Sequence, residues 1–425
     1  MKKLILTNAG ISILTMGIQF LLVIFTNRIL GPEGRGIVAS LISWNNLYYT
    51  LGYLSLHIAI INLLPKSLLD VPKFLGSSVL SGLLLGGLVF MIGYILFQIN
   101  PTLFGDIPYS LYLLMILIIP VMLIQSSFMS ILQMVGELNS FNYHGFIYAI
   151  FQLLLTGFFL VFNLYSLDVA IYIIMINYIF SLSLAYYFIR KKYKTIVYNI
   201  KHLFTLIKVG IKAHIASVGT FLASSIDILM INSMLGKKEA GIYFLAVMIG
   251  RMLLIVPRSV QTMFYYKVSI TKKDELKKNI LQATRITVFF MILISIVIAL
   301  FSKLLVFILG GEAFSDAQYI IFILLPGLIF LSVPMVLASV WNNLGIFKYM
   351  NISISVMVVL VIILNYYLIP KFGIYGAAFG TTITYLYLIS VSVYFVNKFL
   401  GKAPISEILL INKNDLNIIL NKVKK

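Results

Sequence analysis

The sequence predicts an all-α membrane protein with twelve transmembrane helices in two parallel six-helix repeats. Four observations carry that fold class. The 425-residue chain is 61% hydrophobic and only 11% charged, with a mean hydropathy of +1.04, whereas soluble domains run near half apolar and a quarter charged. Its apolar residues fall in blocks of about 20, the length a helix needs to cross roughly 30 Å of hydrocarbon. The alternation of a membrane β-barrel is absent. Finally, a polar connector, RILGPEGRGI (Arg28–Ile37), is echoed by SMLGKKEAGI (Ser233–Ile242), each between two apolar blocks.

The spans follow in order at about 4–27, 36–64, 74–98, 110–135, 142–163, 169–189, 206–234, 240–264, 283–309, 317–343, 350–369 and 374–399. The basic start, Met1-Lys2-Lys3, resembles a secretory leader. The apolar run continues to about Thr26 without a small-residue cleavage pattern, so it reads as a retained first span. With the N-terminus cytoplasmic, about three quarters of the 32 basic residues lie inside, the bias expected of a cytoplasmic (inner) membrane protein with both termini in the cytoplasm. Arg28, Arg35, Lys237, Lys238, Lys303 and Lys371 fall outside, and Arg251 and Arg258 fall within span eight. The net charge of +19 thus reflects topology and contact with anionic membrane lipids, and implies no nucleic acid. Cysteine is absent, which excludes disulfides, thiol catalysis and cysteine metal sites.

The echo extends beyond the connectors. Leu30, Gly31, Gly36 and Ile37 align with Leu235, Gly236, Gly241 and Ile242 at one constant offset, which also carries Asn27 onto Asn232 and Ser12 onto Ser217. VGELNSFN (135–142) resembles LGIFKYMN (344–351) at a slightly larger offset. Six spans per half is an even number, so both halves enter and leave on the same side, as parallel repeats do. The expected organisation is an N-terminal lobe at 1–190, a cytoplasmic linker at 191–205, a C-terminal lobe at 206–400 and an amphipathic cytoplasmic tail at 401–425. YNIKHLFTLIK (198–208) and the tail have the pattern of helices lying on the inner leaflet.

The opening NRILGPEGRGIVASL resembles that of polysaccharide-repeat flippases of the Wzx type, in the superfamily of multidrug, oligosaccharidyl-lipid and polysaccharide exporters. SSIDILMINSMLGKKEAGIYFLA (224–246) is similar to the same family in its membrane Asp, its Leu-Gly turn and its Gly-x-Tyr. LIPKFGIYGAAFGT (368–381) is similar to the family's last connector. The resemblance spans essentially the whole chain. It implies a transporter that is no enzyme and needs no cofactor or metal, moving a polyprenyl-diphosphate-linked oligosaccharide to the outer leaflet by alternating access. One departure is visible: the proline this family often carries early in span seven is missing from KVGIKAHIAS (208–217).

Metal-binding clusters, phosphate loops and nucleophile triads are not evident, so the candidate residues are polar groups in an apolar solvent, where each needs a cavity or a partner. Arg251 and Arg258 lie seven apart on span eight, two turns of a continuous helix and about 10 Å along one face. Guanidinium groups suit diphosphate through several fixed donors and a persistent charge; lipid snorkelling or a structural pair with Asp227 would also account for them. Asp227 shares a helix face with Thr220 and Ser224, and reads either as a coupling site for H+ or Na+ or as the partner of an arginine. Lys212, with Lys208 and His214, forms a basic mouth or an ordinary helix anchor. Arg28 and Arg35 either receive the diphosphate on the far side or flank a tight turn set by Pro32 and its glycines. His57, Asn45, Asn46, Gln125, Gln133, Gln152, Asn177, Asn342 and Asn343 offer hydrogen bonds to sugar or between helices. Trp44 and Trp341 offer a stacking face or core packing, and the many tyrosines read as packing and interface belts.

The rivals are a cation-coupled multidrug antiporter, a lipid II flippase, and a membrane glycosyltransferase or polymerase. The first needs acids lining its cavity, and the last needs long outside loops, where this chain has connections of about a dozen residues. Contact with polysaccharide-assembly enzymes is a further expectation for the tail.

Overall fold

The computed structural model describes residues 2–66, 68–135, 137–268, 273–344, 346–412 and 415. These residues are helical almost throughout and contain no strand. In chain order the helices are α1 (Lys2–Tyr53), α2 (Leu56–Leu63), α3 (Val71–Ser81), α4 (Gly87–Ile99), α5 (Tyr109–Leu117), α6 (Ile119–Met134), α7 (Leu138–Val161) and α8 (Leu167–Arg190). There follow α9 (Ile200–Met234), α10 (Lys237–Met252), α11 (Ile255–Val268), α12 (Lys273–Leu309), α13 (Ala317–Asn343), α14 (Phe347–Phe395) and the short α15 (Ile405–Leu409). The spans expected from the sequence coincide mostly with helix, but span two is broken at Leu54 and Ser55, with φ +48° and +54°, and span eight after Met252. Among the described residues, seven segments are long and apolar enough to cross a membrane, or eight if the bent pair α10–α11 is one span. Twelve spans are consistent with this fold. The chain is a multi-pass membrane protein.

Two of the longest helices are each a pair joined at one glycine. In α1 the break is Gly31, with φ +62° and ψ −175°, followed by Pro32; in α14 it is Gly373, with φ +59° and ψ −143°, after Pro370. This corner of backbone space is closed to residues with a Cβ, so each glycine turns the chain between consecutive spans as the connector reading expects. The missing proline in span seven also has a visible counterpart, since α9 runs as one helix of 35 residues.

The chain divides into two compact units, 1–241 and 242–425. The first is built on an aromatic core: Trp44 lies 4.5 Å from Phe104, and the Tyr48 and Tyr112 hydroxyls are 2.8 Å apart. The Tyr112 hydroxyl reaches the Gly93 carbonyl at 2.8 Å. α9, expected to begin the second repeat, packs here against α1, α2 and α3. Its Asn232 amide donates to the Phe104 carbonyl at 2.8 Å. In the second unit Trp341 is 3% exposed beside Phe395. Both tryptophans therefore serve as core, and sugar stacking on them falls away.

The two echoed connectors pack on each other. A Cβ on Gly36 would overlap the Lys237 carbonyl, and one on Gly241 would overlap the Pro32 carbonyl. The Lys237 ammonium lies 3.2 Å from the Glu33 carboxylate.

The described part of the tail docks on the second unit. Ile408 and Asp415 are fully buried. Arg285 holds Asp415 through Nε at 2.7 Å and Nη2 at 3.2 Å, and it donates to the Glu407 carbonyl at 2.6 Å. Residues 416–425 lie outside the described residues.

Candidate functional site

The first unit contains a cavity of about 360 Å³. Its walls follow helical arithmetic, because residues three, four or seven apart share a face. The first half of α1 contributes Gln19, Leu22, Val23, Thr26 and Leu30; the half after Gly31 contributes Arg35, Val38, Ile42, Asn45 and Asn46. α7 adds Tyr148, Gln152 and Thr156 at intervals of one turn, and α8 adds Ala170, Ile173, Ile174 and Tyr178, with Met115 and Tyr165 completing the wall.

This wall has a definite chemistry. Arg35 is its charged residue, 8% exposed, and no carboxylate is among the lining residues. Around it stand four amides, two threonines and three tyrosines, groups that exchange hydrogen bonds with hydroxyls while their apolar parts cover ring faces. Asn45 is 2% exposed; its amide nitrogen contacts the Met122 sulfur at 3.3 Å, and its Oδ1 has no hydrogen-bond partner. A buried acceptor left unsatisfied is costly, and a donor brought by a ligand would relieve it.

Of the residues singled out in the sequence, the fold brings Arg35, Asn45, Asn46 and Gln152 together here. Arg28 is exposed and outside the wall. His57, on α2, stacks on Tyr53 with ring centroids 5.4 Å apart and 11° between planes, also outside it. Asp227 is buried in α9 at 5% exposure, and Lys212 is exposed on the same helix. The side chains of Thr220, Ser224, Asn342 and Asn343 lie outside the described ones. Arg251 and Arg258 are exposed in the second unit.

The two-turn spacing of Arg251 and Arg258 needs correction. Span eight is not one continuous helix: α10 and α11 meet at a 43° bend after Met252. Pro257 supplies the cause, since it lacks the N–H that would donate to the carbonyl four residues back and its ring crowds that carbonyl. The carbonyl so deprived, Leu253, instead accepts from the Val256 amide at 3.2 Å, and the Arg251 carbonyl accepts from the Leu254 amide at 3.1 Å. The two arginines therefore stand on different helix axes.

Sequence reasoning missed Gln19, Thr26, Tyr148, Thr156, Tyr165 and Tyr178. A signal existed in the one-turn spacing of Tyr148, Gln152 and Thr156, but tyrosines in a membrane helix read equally as interface belts.

Residues 2–265 match the family described as polysaccharide biosynthesis protein. The chain belongs to that family. Among curated proteins, this polysaccharide biosynthesis protein is similar to the capsular polysaccharide biosynthesis protein CapF of Staphylococcus aureus, 27% identical over 252 residues. That match covers 56% of this chain and 62% of CapF. Among solved structures it resembles the lipid II flippase MurJ in an inward closed conformation, with TM-score 0.76 and 16% identity over 98% of this chain and 91% of that one. It also resembles a multidrug resistance transporter of the MATE family in an inward-facing conformation, with TM-score 0.74 and 13% identity over 91% and 94%. At these identities the likeness is one of fold, shared by this polysaccharide biosynthesis protein and both transporter types.

Proposed function

We infer that this protein is a flippase, not an enzyme, that moves a polyprenyl-diphosphate-linked oligosaccharide from the inner to the outer leaflet of the cytoplasmic membrane for surface polysaccharide assembly. The observation that carries the reading is the cavity wall of the first unit, with amides, hydroxyls and tyrosines around Arg35 and no carboxylate in it. A cationic drug would meet a guanidinium there and no counter-charge, so the antiporter reading is disfavoured. A sugar head group finds hydrogen-bond partners, and its anionic parts find Arg35.

In the proposed topology both termini are cytoplasmic, in keeping with the positive-inside bias. The lobes at 1–190 and 206–400 alternate access, with 191–205 as linker and 401–425 as tail. Arg251, Arg258, Arg28 and Lys212 supply further cationic steps for the diphosphate, and His57 supplies a hydrogen bond. Asp227 is the residue proposed to couple H+ or Na+ to the cycle, because a buried carboxylate changes its solvation most when it gains or loses a cation. Polysaccharide-assembly enzymes are the proposed partners on the membrane.

Deleting the gene is expected to remove a surface polysaccharide while its lipid-linked repeat accumulates inside, and restoring the chain should reverse both. Arg251→Ala should insert normally and fail to complement. Normal surface polysaccharide in the deletion strain would end the proposal, and dye resistance on overexpression would favour the antiporter.

A further inference from the structure

Two apolar segments of the first unit, Val71–Ile99 and Tyr109–Met134, touch closely near their middles. One turn of π-helix, Gly82–Gly86, separates α3 from α4 there. A Cβ on Gly82 would overlap the Ile124 side chain and the Pro120 carbonyl, and one on Gly86 would overlap the Pro120 Cα. Pro120 stands at the start of α6, just past the break from α5, so two backbone irregularities meet at one level. Beyond that contact a cleft of about 360 Å³ opens between α4 and α5, walled by Phe90, Tyr94, Leu113, Leu114 and Leu117. Leu117 and Tyr94 are exposed, so the cleft opens sideways onto the bilayer. Its rim is polar: the Gln98 amide donates to the Tyr109 hydroxyl at 2.8 Å, with the Tyr94 hydroxyl beside it. α4 runs outward in the proposed topology, and Phe90 lies nine residues, about 14 Å, before its end at Ile99. The cleft therefore occupies the outer half of a hydrocarbon core roughly 30 Å thick. α5 has two different sides, since Met115 lines the cavity around Arg35 while Leu113 and Leu117 line the cleft.

We propose that the cleft between α4 and α5 is a seat for the polyprenyl chain of the cargo in the outer leaflet, on the opposite side of α5 from the cavity that takes its head group. The identity of the occupant rests on the flippase reading; the apolar seat itself does not. A chain already in the bilayer gains no hydrophobic energy by moving onto protein, so selection has to come from fit. An unfilled cleft forfeits dispersion contacts on its walls. The walls here are two aromatic rings and three branched leucines, an irregular surface that a methyl-branched, unsaturated chain fills better than a straight acyl chain does. The rings of Phe90 and Tyr94 offer faces to its double bonds and methyls. The rim of Tyr94, Gln98 and Tyr109 offers hydrogen bonds where the chain meets its polar end, and carries no charge that would select an ordinary anionic phospholipid. One helix, about 10 Å across with its side chains, thus separates the place for the head from the place for the tail.

The test uses the full chain in bilayers of phosphatidylcholine and phosphatidylglycerol, with a polyprenyl phosphate that carries a photoreactive diazirine near the end of its chain. After illumination the cross-linked peptides are mapped. The label should concentrate on 87–99 and 109–117, and fall at least fivefold with excess unlabelled polyprenyl phosphate but not with the same excess of phosphatidylglycerol. Equal suppression by phosphatidylglycerol would make the cleft a general acyl-chain site and overturn the proposal. Label spread evenly over the lipid-facing helices would overturn it too. Leu117→Trp, which fills the mouth of the cleft from an exposed position, should cut both the labelling and polysaccharide export at least fivefold. Leu88→Trp, equally exposed on α4 but outside the cleft, should spare both. Unchanged labelling in Leu117→Trp would again count against the seat. The two readings separate cleanly. Cleft labelling in a protein whose gene can be deleted without loss of surface polysaccharide would sustain the prenyl seat and sink the flippase reading. Loss of polysaccharide on deletion, with no label in the cleft, would do the reverse.

Discussion

The docked tail offers the sharpest energetic test, through Asp415. This carboxylate is fully buried and receives Arg285 in two hydrogen bonds, at 2.7 and 3.2 Å, as well as the Gln282 amide at 2.9 Å. Asp415→Ala leaves the Arg285 guanidinium, its side chain 8% exposed, with the Glu407 carbonyl as its one acceptor among the described residues. Breaking one partner of a buried pair costs about 3–5 kcal/mol, because the remaining charge stays desolvated. At 1.4 kcal/mol per decade, the lower figure is roughly a hundredfold loss in the ratio of docked to undocked tail. Hydrogen exchange reads this at the Ile408 and Leu410 amides, which donate to Pro404 at 3.3 Å and Ser406 at 2.9 Å. Both should exchange on the order of a hundred times faster in the variant. The double change Arg285→Met with Asp415→Leu, which removes both charges, should restore most of the protection. Burial pushes the Asp415 carboxyl up, but the bonds from Arg285, Gln282 and the Asn412 amide outweigh it and hold the group below its ordinary 3.8. The docking it supports is therefore present above about pH 4 and is lost as pH falls through the lowered value. Unchanged exchange in Asp415→Ala at neutral pH would refute the argument.

Other outcomes follow from single residues. Arg35→Gln should cut polysaccharide export at least tenfold, and Arg35→Lys should recover part of it, since charge returns without the fork of donors; equal export in both variants would remove Arg35 from the site. Gly31→Ala should lower stability by about 1–3 kcal/mol from backbone strain alone, because its Cβ would meet open space; thermal unfolding in detergent checks this against the helical control Gly157→Ala. Pro257→Ala should reduce the 43° bend after Met252, readable as a changed spin-label distance between positions 244 and 263. His202 is held below its ordinary 6.5 chiefly by burial, against Phe74 and the Ser77 hydroxyl at 2.9 Å. A lowered histidine contributes stability above about pH 6.5 that fades as pH falls through the folded value. His202→Gln should flatten the loss between pH 7 and 5, as followed by thermal unfolding across that range.

Much of the fold was legible because membrane solvation imposes it residue by residue. Each span needs only its own run of apolar side chains, since a backbone in hydrocarbon must close its hydrogen bonds within the helix. The connectors were legible for a related reason, as Gly31 and Pro32 carry their dihedral preferences wherever they stand. The candidate site was only partly so. Arg35, Asn45, Asn46 and Gln152 stood out as polar residues in apolar runs, yet so did His57 and Asn177, and composition cannot separate a residue facing a cavity from one facing another helix. The bend at Pro257 was written in the sequence but is easily lost beneath a continuous apolar run.

By itself, then, the sequence determined a helical membrane chain, a duplicated plan and turns at its glycines, because those rest on local chemistry and on the solvent each residue meets. Only the tertiary structure decided which faces converge. It gathered residues of α1, α5, α7 and α8 around one cavity, turned Trp44 and Trp341 into core, docked the tail through Arg285, and laid Gly36 against the backbone at Lys237 and Gly241. Those outcomes depend on packing between segments distant in sequence, where side chains of similar polarity compete for the same positions and only shape and distance choose among them.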